Sequence, residues 1–252
     1  MFLDCKRCLA VLLLSCAGAA SAKPPLVIGV ESLYYMPVAT YENGVYKGFA
    51  RDLFDAFAKD RGYEVEYRAL PVPRLYASFF AGQLDFKFPD NAYWKQKQRA
   101  GLNIHYSDPV AAFVDGTCVL PERRGARPEE ILRLGTMGGF TPWAWLDRIK
   151  AGKPSLSENT QLEALVRQAL AGRVDAVYAS VAVINYQLDH VLKQPGALVF
   201  GPGLPHTLDN YHLSTLRHPA ILAEFNEWMR TNRDRVAALK KKYGVEKGVK
   251  AD

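Results

Sequence analysis

Cysteine is scarce in this sequence, and the little there is cannot staple a fold. Of four cysteines in 252 residues, Cys5, Cys8 and Cys16 crowd the amino terminus and only Cys118 lies further along, so the body of the chain has no partner for an internal disulfide. Cys118 sits in the strand-like run Thr117-Cys118-Val119-Leu120 with no histidine close by in sequence, which reads as a buried, inert thiol rather than a nucleophile. Long apolar runs are missing as well: past the leader, nothing approaches the roughly 20 apolar residues a membrane helix needs. There is no nucleophile elbow, no phosphate loop and no zinc-hydrolase pattern. No two of His105, His190, His206, His212 and His218 share a metal-ligating spacing on one predicted helix. The sequence therefore calls for no metal and no cofactor. The net charge of +6 is not spread as a nucleic-acid footprint, because Lys240, Lys241, Lys242, Lys247 and Lys250 gather at the end, where a helix carboxyl terminus favours cations.

What is present begins with an export leader. Lys6 and Arg7 precede an apolar stretch from position 8 to 16, and Ala20-Ser21-Ala22 supplies the small-x-small pattern read by signal peptidase. Cleavage after Ala22 would release a soluble periplasmic protein starting at Lys23. A second option is a lipidated Cys16, since Leu13-Leu14-Ser15-Cys16 loosely resembles a lipoprotein box.

The body of the chain contains a repeat. Ala81-Gly82-Gln83-Leu84-Asp85 follows the amphipathic run 74–80 and leads into Phe86-Lys87-Phe88; Ala171-Gly172-Arg173-Val174-Asp175 follows 162–170 and leads into Ala176-Val177-Tyr178. Each copy spells helix, glycine stop, strand. Two such units ninety positions apart predict two similar α/β lobes, with a small ligand held where they face each other. Asp85 and Asp175 are assigned to the joints, where they would satisfy backbone amides.

Around the repeat, Leu26-Val27-Ile28-Gly29-Val30 has the continuous apolar character of a central parallel strand. Glu42-Asn43-Gly44 marks a turn, 49–61 a helix stopped by Gly62, and 63–68 an alternating strand. Further on, 132–136 reads as a strand, Gly138-Gly139-Phe140 as a loop, and Thr141-Pro142-Trp143 as an N-cap with Pro at the first position of a helix running to about Ala151. The exposed amides of that helix start would suit an anion. Residues 181–192 read as helix, 197–200 and 211–216 as strands, and 219–243 as one long helical pattern.

These elements, together with VIGVESLYYMPVATYENGVYKGFARDLFDAFAKDRGYEVEY, AGQLDF, HYSDPV, NTQLEALVRQALAGRVDAVYAS, HPAILAEFNEWM and LKKKYG, make the chain resemble the periplasmic solute-binding proteins of ABC importers, in the family that includes the amino-acid binders. The resemblance implies an α/β, two-lobed type II periplasmic-binding-protein-like fold with two hinge crossings near 113–118 and 199–205. Lobe 1 would comprise 23–114 and 204–252, and lobe 2 would comprise 115–203. It further implies a small-molecule solute and an inner-membrane ABC permease as partners, a monomer, and no enzymatic activity. Two other readings belong to the same fold: a dehydratase-like enzyme using cleft carboxylates as acids, and a ligand-sensing accessory subunit.

Departures from the family pattern fall on the ligand. The carboxylate-clamping Arg of amino-acid binders would correspond to Lys97, and the ammonium-receiving Asp to Ser180, so a standard α-amino acid loses both anchors. The remaining candidates are placed by strand ends and loops. Glu31 closes the first strand, Tyr34 and Tyr35 follow it, Asp90 and Asn91 end the first repeat's strand, and Trp94 follows them. Asp115 lies at the first crossing, and Gly139 and Thr141 flank the predicted helix start. The aromatic members suit a flat, polar or weakly cationic solute.

Overall fold

The structure, a computed structural model, describes residues 24–249. The leader, its cleavage point after Ala22 and the alternative at Cys16 lie outside the described residues.

Strand β1 (Leu26–Glu31) is the centre of the first lobe. A small antiparallel sheet of β2 (Tyr34–Tyr35), β3 (Ala39–Glu42) and β4 (Val45–Lys47) follows it, and the expected turn is made by Asn43 and Gly44, both at positive φ. Helix α1 (Phe49–Arg61) stops at Gly62 in the left-handed conformation. Strand β5 (Val65–Leu70), helix α2 (Val72–Phe80) and strand β6 (Phe86–Asp90) complete a parallel unit in which β1 pairs with β5 on one side and β6 on the other. The short α3 (Gln96–Arg99) and β7 (His105–Tyr106) lead into β8 (Ala111–Val119).

The second lobe repeats the layout. Strand β9 (Arg133–Met137) is flanked by β10 (Ser155–Asn159) and β11 (Ala176–Ser180), both parallel to it. Helix α4 (Leu146–Lys150) lies between β9 and β10, and α5 (Leu162–Leu170) precedes β11. In both lobes a parallel triplet is closed by an antiparallel long strand: β8 beside β11, and β13 (Thr207–Thr215) beside β6. Between β11 and β13 come α6 (Val181–Tyr186), one π-helical stretch (Gln187–Leu192) and β12 (Val199–Phe200). Helices α7 (Pro219–Thr231) and α8 (Arg233–Tyr243) finish the chain on the first lobe.

The two joints are built alike. Gly82 and Gly172 sit at φ +68° and +66°, and the amides after them bond back to Ser78 and Gln168. Asp85 Oδ2 accepts the Val27 amide at 2.8 Å, while Asp175 Oδ2 accepts the Leu132 and Arg133 amides at 3.0 and 2.8 Å. Each aspartate thus ties the strand it precedes to the start of the central strand. The repeat helices also pack on matching glycines: a Cβ on Gly29 would come within 2.8 Å of Leu75, and one on Gly135 within 2.6 Å of Leu165.

The lobes are joined by β8 and β13, which run antiparallel from Thr207↔Asp115 to Tyr211↔Ala111 before β13 passes on to β6. The sequence places the return near 199–205, but Val199–Phe200 stays with the second lobe, paired to Cys118–Val119. The returning strand starts at Thr207, in the run Thr207-Leu208-Asp209-Asn210 that carries no apolar alternation; Leu208 is 63 % exposed. Other boundaries also moved. The expected helix from Pro142 is a 3₁₀ turn (Trp143–Trp145) followed by α4, and no side chain caps it; Trp145 turns inward and its indole N–H donates to Thr117 Oγ1 at 2.9 Å. The long terminal pattern breaks at Asn232 into α7 and α8.

Phe54, Phe57, Phe225 and Trp228 interlock α1 with α7 in the first-lobe core. Cys118 is 1 % exposed, and burial pushes its thiol up to about 12, which keeps it protonated and unreactive. Among the described residues, no helix is long and apolar enough to cross a membrane, and no cluster of His, Cys, Asp or Glu could hold a metal ion.

Candidate functional site

Because both lobes carry parallel triplets, the carboxyl ends of β1, β6, β9 and β11 converge, and open α/β sheets bind ligands at such ends. Between them lies a small, largely enclosed cavity of about 30 Å³. Among the described residues, Glu31 at the end of β1 and Asp115 in the middle of β8 are the only charged residues on its wall. Five aromatic rings complete most of the rest: Tyr35, Tyr76, Trp94, Phe140 and Tyr211, with Val72, Pro89, Gly139 and Thr141 between them.

The rings are fixed by each other and by the crossing strands. Tyr211 on β13 stacks on Phe113 of β8 at 4.3 Å, and Trp94 packs edgewise on Tyr211 at 6.1 Å. Tyr35 bridges the lobes: its ring meets Phe140 at 5.3 Å, and its hydroxyl accepts the Ser180 amide at 3.2 Å. Gly139, at φ +83°, lets the second-lobe loop approach Val72 and Pro73 closely enough that a Cβ would stand 3.2 Å from Val72.

Behind the wall is a buried charge network that the sequence did not disclose. Lys87, in the middle of β6 and without solvent exposure, places Nζ 2.6 Å from the Pro89 carbonyl and 3.2 Å from Asp90 Oδ1, over the Tyr76 ring at 4.2 Å. Arg99 grips Asp90 with both terminal nitrogens and donates to the Tyr106 hydroxyl at 2.8 Å. Ser214 and the Asn91 amide donate to Asp90 at 2.6 and 2.9 Å. Burial opposes the Asp90 carboxylate, but Lys87 and Arg99 outweigh it and hold the group below its usual range. Lys87 is pulled down by burial and held up by Asp90 and Glu31.

Six of the eleven candidates named from sequence therefore meet on one wall: Glu31, Tyr35, Trp94, Asp115, Gly139 and Thr141. The other five do not. Asp90 was expected to face the cleft, yet it is fully buried and saturated by its four donors. Asn91 is held in a turn, its side chain donating to Asn210 O and accepting the Tyr93 amide. Tyr34 lines a separate groove with Glu42 and Thr160 and hydrogen-bonds Tyr186. Lys97 is exposed on an outer groove beside Tyr93 and Trp143. Ser180 is buried, its amide committed to Tyr35 and its side chain to Tyr211. Sequence reasoning missed Tyr76 in the first repeat's amphipathic run, Phe140 in the loop after the second lobe's first strand and Tyr211 at the start of a strand, as well as Lys87, whose one legible signal was a lysine inside an otherwise apolar strand.

The two wall carboxylates are unusual. Burial, opposed by Lys87 and reinforced by Asp90, raises Glu31 to about 7. Burial, Glu31 and Asp209 raise Asp115 to about 7 as well.

The model of the bacterial extracellular solute-binding proteins, family 3, matches residues 26–246. The chain belongs to that family. No curated protein matches it in sequence. Among solved structures, this family 3 protein is similar to the arginine-, lysine-, histidine-binding protein ArtJ of Geobacillus stearothermophilus, at 17% identity, a TM-score of 0.71, and coverage of 87% of this chain and 95% of that one. A histidine kinase sensor domain with similarity to periplasmic binding proteins gives 19% identity, a TM-score of 0.71 and coverage of 88% and 96%. The ancestral amino acid-binding protein AncCDT-1, a precursor of cyclohexadienyl dehydratase, gives 18%, 0.68, 87% and 94%. At these identities the likeness establishes the two-lobed fold of the family and nothing finer.

Proposed function

We propose that this family 3 protein captures a small cationic solute lacking an α-carboxylate, closing its two lobes around it in the periplasm and delivering it to an inner-membrane ABC permease. One observation carries this reading: the cavity wall holds two carboxylates and five aromatic rings, and neither a lysine nor an arginine. An α-amino acid needs a cation for its carboxylate. Arg99, which lies over the ring of the wall residue Tyr76, is spent on Asp90, Tyr106 and the Trp94 carbonyl. Aromatic faces and carboxylates together favour a positive head group, such as a protonated amine, a guanidinium or a quaternary ammonium. ArtJ, whose name records basic ligands, is compatible with a cationic preference. Native mass spectrometry of protein purified without denaturation, followed by calorimetry with amines and amino acids, tests the reading. A carried-over or added cation binding at micromolar affinity with compaction in small-angle scattering is expected; tighter binding of an ordinary neutral or acidic amino acid would refute it.

A second reading is favoured by one specific feature, the raised Asp115 with no cation beside it: a carboxyl group that keeps its proton near neutral pH can serve as a general acid. It predicts turnover of a small substrate that is lost in Asp115→Asn. Absence of turnover across the cationic and carboxylate solutes of the binding screen would leave capture as the function.

A further inference from the structure

We propose that Asp115 is the receptor for the solute's cationic head, that the head is a monocation, and that it enters in exchange for the proton Asp115 carries when the closed cleft is empty. This rests on the cationic reading above and deepens it.

The argument is a count of charges by position. Glu31, Lys87, Asp90 and Arg99 form one connected set in the first lobe: Lys87 acts on both Glu31 and Asp90, and Arg99 closes on Asp90. With Glu31 ionised, two carboxylates and two cations sum to zero, so Glu31, although it lines the cavity, has in Lys87 a counter-ion behind the wall that Asp115 lacks. Asp115 stands outside this set. It is held in the middle of a crossing strand, paired in register with Ser180 on one side and Thr207 on the other. The groups that face it are all acids: Glu31 from β1, Asp209 from β13, and the phenols of Tyr35 from β2, Tyr178 from β11 and Tyr211 from β13. None can supply a positive charge. With both wall carboxylates ionised, the closed compartment is therefore one positive charge short, and a single proton or a single cationic head at Asp115 supplies it. Tyr35 and Tyr211 line the same cavity and feel the same carboxylate, so a cation docked there is also within reach of their aromatic rings. The raised value of Asp115, about 7, agrees with the proton being the occupant of the empty site near neutral pH.

The exchange balances simply. The protonated carboxyl plus the cation give the carboxylate–cation pair and one proton to solvent.

The test uses choline, benzylamine and methylguanidinium as probes at millimolar concentration, by calorimetry in two buffers of different ionisation enthalpy. For the probe that binds, release of nearly one proton is expected at about pH 6 and almost none at about pH 8, with affinity about tenfold weaker at the lower pH. Asp115→Asn should weaken that probe by about 30-fold or more and abolish both the proton release and the pH dependence. Asp115→Glu, which keeps the carboxylate, should retain proton release, and its unfolding transition provides a folding control. Unchanged affinity and proton release in Asp115→Asn, or loss of proton release in Glu31→Gln alone, would overturn the assignment while leaving the cationic reading standing. If none of the three cations binds, or only carboxylate-bearing solutes do, both fail together.

Discussion

Tyr35, from the first lobe, accepts a hydrogen bond from the backbone amide of Ser180, in the second, at 3.2 Å. Both groups are buried. The bond crosses the cleft from one lobe to the other and acts as a closure contact. Tyr35→Phe keeps the ring against Phe140 but leaves the amide unpaired in the closed form, which costs about 1 kcal/mol. Solute affinity should fall about fivefold, measured by calorimetry with the solute recovered by native mass spectrometry, and small-angle scattering should show a less complete compaction. An unchanged affinity would mean that this bond does not hold the lobes together.

The wall carboxylates make a prediction that needs no ligand. Their values in the folded protein, about 7, exceed the ordinary 4.5 of Glu31 and 3.8 of Asp115. The folded state therefore binds more protons than the unfolded chain between about pH 4 and pH 7, and stability from these groups is full below about pH 4 and lost as pH rises through about 7. Asp115→Asn removes a group that opposes closure at neutral pH. Its thermal midpoint should lie several degrees above that of the parent at about pH 8 and converge with it near pH 4. A gap of constant size across that range would contradict the burial assigned to Asp115.

Asp90 is the keystone of the buried network. Asp90→Asn leaves Lys87 and Arg99 with Glu31 as their one remaining counter-charge among the groups of the network, and removing one partner of a buried ion pair costs about 3–5 kcal/mol. A fall in thermal midpoint of about 10 °C is expected by scanning calorimetry. A loss of solute affinity with unaltered stability would instead put Asp90 in contact with the ligand.

Gly29 and Gly135 should be equally intolerant of a methyl group. Gly135→Ala drives a Cβ to 2.6 Å from Leu165, a fully buried side chain, and the corresponding change at Gly29 meets Leu75 and Leu84. Overpacking of this kind costs about 1–3 kcal/mol, readable as a lowered denaturant midpoint in each variant. If only one were destabilised, the two lobes would not share the packing scheme that the repeat implies.

The sequence by itself determined the duplicated architecture. Helix period, glycine stop and apolar strand are local signals, since each follows from steric and hydrogen-bonding limits on a few neighbouring residues; the joints at Gly82 and Gly172 and the roles of Asp85 and Asp175 follow from them. It also raised the expectation that amino-acid recognition is altered, by counting from the repeat to Lys97 and Ser180. The tertiary structure decided which polar groups are available to a ligand. Asp90 and Glu31 both end parallel strands and are alike in sequence, yet Arg99, nine residues on, folds back over Asp90, and Lys87 points between the two. Whether a carboxylate is saturated or free depends on groups brought together across the sheet, such as Ser214 on a strand 124 positions away. No local pattern records those distances. The aromatic wall was hidden for the same reason: Tyr76, Phe140 and Tyr211 belong to three separate elements and become one surface only when the crossing strands bring the lobes together.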